Sequence, residues 1–413
     1  MKVKSQRLKV CICVLIGLLQ FLNSGYCFAA GDITVHAEYE AVAGELKTVA
    51  ESMALATAMQ DAVGQIETLV NSESKKMGGV LSKDVVYAVA SGIIQVDDKK
   101  VEWLNDKTVR VTIHTSINET DINAYRQKYL SDDKIILQYK KMQDEYSLLQ
   151  DENNRLKSQL VLVTDRNKID LIKKEIRDKN QHYLAAIWFE KAYSQHVIGQ
   201  DNDAFTSLDT ALSFMPDFSN AYGLYGNIYD NEGKLDLALL SYKKALEIEP
   251  NYTEVICDEG LVYKQKHDLA MAMQCYNTAL KIDPYLGPAY NLRADIYNLY
   301  NQPKNAIVDY QSALKINYMD YTALVGMSMS LRELQQYSTA IEYANRAISV
   351  NPKGADGYMA KAMSLVFVGR LRETVDYLNQ AIQYSINKKL REQLVDLRNL
   401  VQQSIRTKEY QSR

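Results

Sequence analysis

Apolar and small residues recur along the second half of the chain with a period of 34 residues. Pro216, Pro250, Pro284 and Pro352 mark the ruler, and Tyr318 and Ile386 stand on the two marks that lack proline. With these at position 32, six units tile the chain: 185–218, 219–252, 253–286, 287–320, 321–354 and 355–388. Position 27 is Ala in all six, from Ala211 to Ala381, and position 20 is Ala in five, Thr374 being the exception. Position 8 is small (Ala192, Gly226, Gly260, Ala294, Ser328, Ala362), whereas position 4 is usually large, from Trp188 and Tyr222 to Tyr358. This pattern predicts two helices per unit. Small residues at 8 and 20 let them approach, Tyr242, Tyr276 and Tyr310 at position 24 fill the space beside them, and proline stops the second helix. Gly199, Gly233, Asn301 and Gly369 at position 15 predict a left-handed residue ending the first helix. A fixed period of this size signals stacked supersecondary units rather than a bundle. The unit with Gln195, where its successors carry Tyr229 and Tyr263, departs most from the pattern, as does the unit with Leu331 and Ala344. Both are expected to be distorted.

Elsewhere the periods differ. Residues 33–39 alternate as a strand, and 45–71 carry apolar residues at helical spacing, from Leu46 to Val70. A shorter helix is predicted from Lys83 to Ala90. A second strand is read from Gly92 through Val101 and Trp103, then a turn at Asn105-Asp106 and a third strand from Val109 to His114. The order predicts a small α+β domain over 31–119 with its helices on one face. Residues 120–184 read as a charged helical connector. Between Ile135 and Val163 its apolar positions alternate at intervals of three and four: Ile135, Tyr139, Met142, Tyr146, Leu149, Asn153, Leu156, Leu160, Val163. These are four heptads, and they predict a homo-oligomer through a coiled coil built on Met142, Leu149, Asn153, Leu156 and Leu160, with Asn153 fixing register. The same spacing also fits a lone helix packed on its own domain. In the last segment, 389–413, Leu390, Leu394, Leu397, Val401 and Ile405 predict one amphipathic helix capping the repeats. The fold class is mainly α: a six-unit α-solenoid, a helical connector and a small N-terminal α+β domain.

The repeat columns, large–small–Tyr then Ala–Tyr–Ala–Pro, resemble the tetratricopeptide-repeat family, a resemblance that implies a scaffold holding a protein or peptide in a concave groove. The Ala-rich helix 54–70, the Ser-Gly start at 91–96 and the closing strand 107–117 resemble the LPP20 lipoprotein family and the N-terminal region of the flagellar protein FlgT. That likeness implies an envelope location with a docking role and no active site. A coiled coil followed by repeats also resembles the plan of the CpoB family of Tol-Pal coordinators, which is trimeric.

Composition adds a compartment. A basic stretch to Lys9, an apolar core from Val10 to Leu22 and a small-residue end at Ala29-Ala30 predict a secretory leader over 1–30. Its core is short for a permanent anchor, which needs roughly 20 apolar residues; an uncleaved anchor is the alternative. The predicted location is the periplasm or cell envelope of a bacterium, with membrane contact only through partners or an uncleaved leader. Formal net charge is −3, and −7 without the leader's four basic residues. This argues against sequence-independent nucleic-acid binding. Beyond the leader only Cys257 and Cys275 remain, on different predicted helices, which disfavours a disulfide.

No chemistry emerges from the motifs. The five histidines are scattered, and no Walker loop, dinucleotide fingerprint or nucleophile elbow occurs. No cofactor, no metal and no enzymatic activity are expected. The candidate site is instead the stripe at positions 2, 5, 9, 12 and 13 of the first helices, which lines the groove in the family. Its early part is polar, with Asn220, Asn227, Asp230, Asn231, Asn291, Asp295 and Asn298. Its end is apolar, with Val325, Met329, Met359, Met363, Val366 and Phe367. Amides suit a peptide backbone and methionines adapt to varied apolar partners. Of the residues the family's carboxylate clamp requires, only Asn227 fits, because Gly223, Cys257 and Pro288 stand at the reaching positions. The terminal helix covering the apolar end is the competing reading of that stripe. Functionally the expectation is an envelope adaptor; the alternative is a non-catalytic accessory subunit of a cell-wall or polysaccharide enzyme complex.

Overall fold

The computed structural model describes residues 31–76, 81–117, 119–130 and 133–411, so the predicted leader lies outside the described residues. The chain divides into two compact units, residues 1–216 and 217–413.

In the first unit, strands β1 (Gly31–Glu40), β2 (Asp98–Trp103) and β3 (Thr108–Ile117) form an antiparallel sheet of order β1-β3-β2. Register places Val35 opposite Ile113 and Val101 opposite Val111. One face is apolar (Ile33, Val35, Ala37, Val109, Val111 and Ile113, all buried), as alternation demands. Helix α1 (Lys47–Lys76) packs on that face. The β2–β3 turn is held by the Asn105 carboxamide oxygen, which accepts from the backbone of Lys107 and Thr108 at 2.8 Å each. The five predicted elements appear in the predicted order, with one correction. Residues 92–96 are not strand. Helix α2 (Lys83–Ile93), capped by Ser82, takes in residues 92 and 93, residues 94–96 form neither helix nor strand, and β2 starts only at Asp98. Val85, Val86, Val89 and Ile93 continue one helical stripe, and Gly92 is needed inside it, because a Cβ there would strike the Tyr125 ring.

The connector is corrected as well. It is three helices, α3 (Glu119–Leu130), α4 (Asp133–Leu162) and α5 (Arg166–Val197), and Asp165 caps α5 by accepting from Lys168 N. That break lets the chain turn back, so α4 lies against α5 of the same chain. The heptad face is buried there. Ile135, Tyr139, Met142, Tyr146, Leu149, Asn153 and Leu156 are all in the interior, and Leu160 is half-buried. Tyr146 OH donates to the Ala186 carbonyl, Gln150 Nε2 donates to Tyr183 OH, and Asn153 Nδ2 donates to Asn180 Oδ1. Asn180 in turn donates to Tyr39 OH at 2.7 Å and Glu45 Oε1 at 2.8 Å. The oligomerisation seam predicted from Met142, Leu149, Asn153, Leu156 and Leu160 is therefore the inside of a hairpin. A period of 3.5 requires a buried partner but does not say whose.

A buried carboxyl of the same unit is Glu190 on α5. Its Oε1 has no hydrogen-bond partner, and burial raises its carboxyl from 4.5 to about 7. Helix α6 (Asp201–Phe214) follows α5 and completes the first helix pair of the 34-residue ruler.

The second unit holds five further pairs: α7 (Ser219–Asn231) with α8 (Leu235–Ile248), α9 (Thr253–Gln265) with α10 (Leu269–Ile282), α11 (Gly287–Leu299) with α12 (Pro303–Ile316), α13 (Tyr321–Glu333) with α14 (Tyr337–Val350), and α15 (Ala355–Phe367) with α16 (Leu371–Tyr384). Every first helix spans 13 residues and every second helix 14. The Ala columns are fully buried, and Gly226 and Gly260 admit the rings of Tyr242 and Tyr276, which a Cβ would overlap. Tyr310 instead turns its ring onto Gly326 of the next pair. The pair with Leu331 and Ala344 is not distorted. Met327 and Leu331 are buried in the core they share with Tyr310, so the missing aromatic ring leaves regular helices. Finally α17 (Lys388–Gln411), capped by Asn387, seats Leu394 and Val401 on Ala362, Leu378 and Ala381.

Candidate functional site

Within the second unit, the first helices of successive pairs touch one another: α7 meets α9, α9 meets α11, α11 meets α13 and α13 meets α15. Their shared face carries the predicted stripe. Residues at position 12 reach across each junction. Asp230 accepts from Gln265 Nε2 at 2.8 Å, Lys264 Nζ pairs with Asp295 Oδ2 at 3.5 Å, Asn298 Oδ1 accepts from Ser330 Oγ at 3.0 Å, and Arg332 Nη1 lies 3.2 Å from Met363 Sδ. This polar ladder braces neighbouring repeats as well as lining the face.

Position 9 has a second duty. Asn227 Oδ1 accepts from Tyr242 OH and Asp295 Oδ1 from Tyr310 OH, each at 2.7 Å. These phenols are buried, and burial together with the neighbouring aspartates pushes their pKa far up, so they remain donors. In the intervening repeat position 9 is Leu261, and the Tyr276 hydroxyl has no partner there. Asn291 is buried too and donates to Asp320, whose other oxygen caps α13 through Ala323 N. Of the predicted polar residues, Asn227, Asn291, Asp295 and Asn298 thus hold the fold together. Asn220 stays half-buried in the first turn of α7, and Asn231 is exposed at its end.

At the apolar end Met329, Met359 and Met363 are half-buried, and Phe367 is 59% exposed although its ring stacks on Tyr337 at 5.0 Å. Met359 and Val366 pack at the edge of the cluster that α17 closes. The competing reading therefore holds for those two residues. Their neighbours Met329, Met363 and Phe367 lie outside that cluster.

Between these ends the face deepens into a recess of about 300 Å³. It brings together the predicted Asp295, Asn298, Val325 and Met329 with Lys264, Tyr310, Tyr321 and Asp356, which the sequence reading missed. Lys264 and Asp356 occupy positions 12 and 2, so the same columns could have found them. Tyr321, at position 1, had no such signal. Its hydroxyl accepts from Gly357 N at 2.9 Å and ties the recess to α15.

The profile of the tetratricopeptide repeat matches residues 219–252, 253–285 and 321–353. These helix pairs are tetratricopeptide repeats. Among solved structures, the chain is similar to MamA, with 22% identity over 41% of this chain and 93% of that one, at a TM-score of 0.36. It is similar to YrrB, described as a tetratricopeptide-repeat protein with an unusual peptide-binding site, with 20% identity over 46% and 97% at a TM-score of 0.36. It is also similar to PilW, a type IV pilus biogenesis factor, with 21% identity over 51% and 98% at a TM-score of 0.45. These likenesses are of fold alone. No curated protein matches the chain. Among the described residues no group of three or more His, Cys, Asp or Glu is placed to hold a metal ion, and no helix is long and apolar enough to cross a membrane. Tetratricopeptide repeats are protein-interaction modules, and what this face offers chemically is shape, apolar surface and fixed charge.

Proposed function

We propose that the chain is an exported adaptor of a bacterial cell envelope, whose repeats hold a protein or peptide partner along the first helices of the second unit and so organise an assembly. The observation that carries this reading is the accessible apolar run Met329, Met363 and Phe367, continuous with the recess at Asp295 and Asp356. Exposed apolar surface rimmed by polar groups marks interaction sites. Export rests on the three-part leader at 1–30.

The test is affinity capture from an envelope fraction, using the full chain and its Met363→Glu and Phe367→Glu variants. Both side chains retain solvent contact, so the variants keep the helical signal and melting temperature of the parent. Capture of the same partner by the parent, lost in both variants, is the expected result. Undiminished capture by both places the partner elsewhere. Asn227→Ala and Asn291→Ala are unsuitable probes, because each also releases a buried group of the fold.

A further inference from the structure

The recess between the fourth and fifth repeats combines two kinds of lining. Leu299, Val325 and Met329 form an apolar wall, and Gly326 adds bare backbone to it. Asp295, Asp356 and Lys264 supply charge. Lys264 and Asp295 already face one another at 3.5 Å and largely cancel. Asp356 is exposed and forms no ion pair among the described residues, so the recess keeps one uncompensated negative charge. The Tyr310 hydroxyl proton is committed to Asp295, and burial keeps that phenol neutral. An apolar wall ending in carboxylates fits a side chain with an aliphatic stem and a cationic head, because such chains bury their methylenes and keep the charge at the rim. An acidic side chain would meet Asp356 and find Lys264 already paired. A purely apolar one would gain the wall and nothing from the charge.

We propose that this recess is the subsite for a single Lys or Arg side chain of an extended partner segment, its stem along Val325 and Met329 and its head between Asp295 and Asp356. The inference rests on the groove being the partner site. Lys264 then acts as an internal competitor for Asp295, which makes a prediction that no purely structural role would make: removing Lys264 tightens binding.

A randomised peptide library displayed on phage, panned against the full chain, supplies the probes. Fluorescence anisotropy then compares a selected peptide with its Arg→Glu form, on the parent chain and on Asp356→Lys and Lys264→Met variants. The expected result is enrichment of Lys or Arg at one position and about tenfold weaker binding to Asp356→Lys, the loss of a charge-assisted contact. Partial recovery of that loss by the Arg→Glu peptide, and tighter binding of the Arg peptide to Lys264→Met, complete it. Peptides that bind without basic preference and ignore Asp356→Lys, yet are lost on Met363→Glu, overturn the cationic subsite and leave the groove standing. A library that yields no binder overturns both.

Discussion

In the first unit Tyr129 and Tyr139 are buried with their hydroxyls bonded to each other and to Ser194, and Tyr146 bonds the Ala186 carbonyl, all near Glu190, whose Oε1 has no partner. In the second unit Tyr242 and Tyr310 are equally buried, but their rings rest on small residues and only their hydroxyls reach the groove face, where Asn227 and Asp295 meet them. The first arrangement is a polar network whose members depend on one another. The second is an apolar column repeated every 34 residues, with polar tips that can vary: Leu261 replaces the partner of Tyr276 without disturbing the helix pair. The two kinds of core should therefore respond differently to substitution.

The largest effect is expected at Asn180, which accepts from Asn153 and donates to both Tyr39 and Glu45. Asn180→Leu strands the Asn153 amide and removes one donor from Tyr39 and Glu45, which keep their bond to each other and the Val42 N–H on Glu45. It should cost about 4 kcal/mol, the loss of several buried hydrogen bonds at once. In urea unfolding of the full chain, hydrogen exchange over residues 31–45 and 133–162 should collapse first. Unchanged protection there would show that the network holds nothing together. Asn153→Leu, which a register pin between two copies would make stabilising, should be destabilising too, since it strands the Asn180 carbonyl oxygen.

Next comes pH. Glu190 faces Tyr87 of α2, Tyr129 of α3 and Tyr139 and Tyr146 of α4, with Lys191 beside it on α5; burial lowers the Lys191 pKa. Burial raises the Glu190 carboxyl from 4.5 to about 7, so the folded state holds the proton more tightly than the unfolded chain. Its stabilising share is complete below about pH 4.5 and lost as pH climbs through about 7, a change on the order of 3 kcal/mol. Exchange protection of the first unit should fall over that window while the second unit holds. Glu190→Gln should flatten the difference, and an equal pH response in that variant would exclude Glu190 as its source.

On the repeat side, Gly226→Ala pushes a methyl into the Tyr242 ring and should destabilise by about 2 kcal/mol through overpacking. A thermal melt unchanged by this substitution would mean the ring has room to move. The smallest effect has the opposite sign. Gln335 holds φ 61° at position 15, where three of the other repeats carry Gly. Gln335→Gly should therefore raise stability by about 0.5 kcal/mol, left-handed strain being partly offset by the freer unfolded chain. A fall in the urea midpoint would show that the Gln side chain contributes more than its backbone costs.

Position 15 also shows where the columns stopped being legible. Gly199, Gly233, Asn301 and Gly369 announce the left-handed turn, and the structure confirms it at all four. It finds the same turn at His267 and Gln335, residue types that carry no such signal. Those two are held there by the helices on either side. In the candidate site, Asp295, Asn298 and Met329 were legible from their stripe. Their meeting with Tyr321 and Asp356 was not, because it depends on how far one repeat is rotated from the next.

What the sequence by itself determined is whatever repeats or alternates: six helix pairs, the capping helix, the three strands and the faces that must leave water. Periodicity encodes burial directly, since 34, 3.6 and 2 residues each return a side chain to the same side. What only the tertiary structure decided is which partner each face meets. The heptads of α4 found α5 of their own chain, because Asp165 starts a new helix that folds back. Asn227 and Asp295, read as ligand-binding groups, were drawn into satisfying buried tyrosines. A pattern states that a surface needs covering, and only three-dimensional proximity supplies the cover.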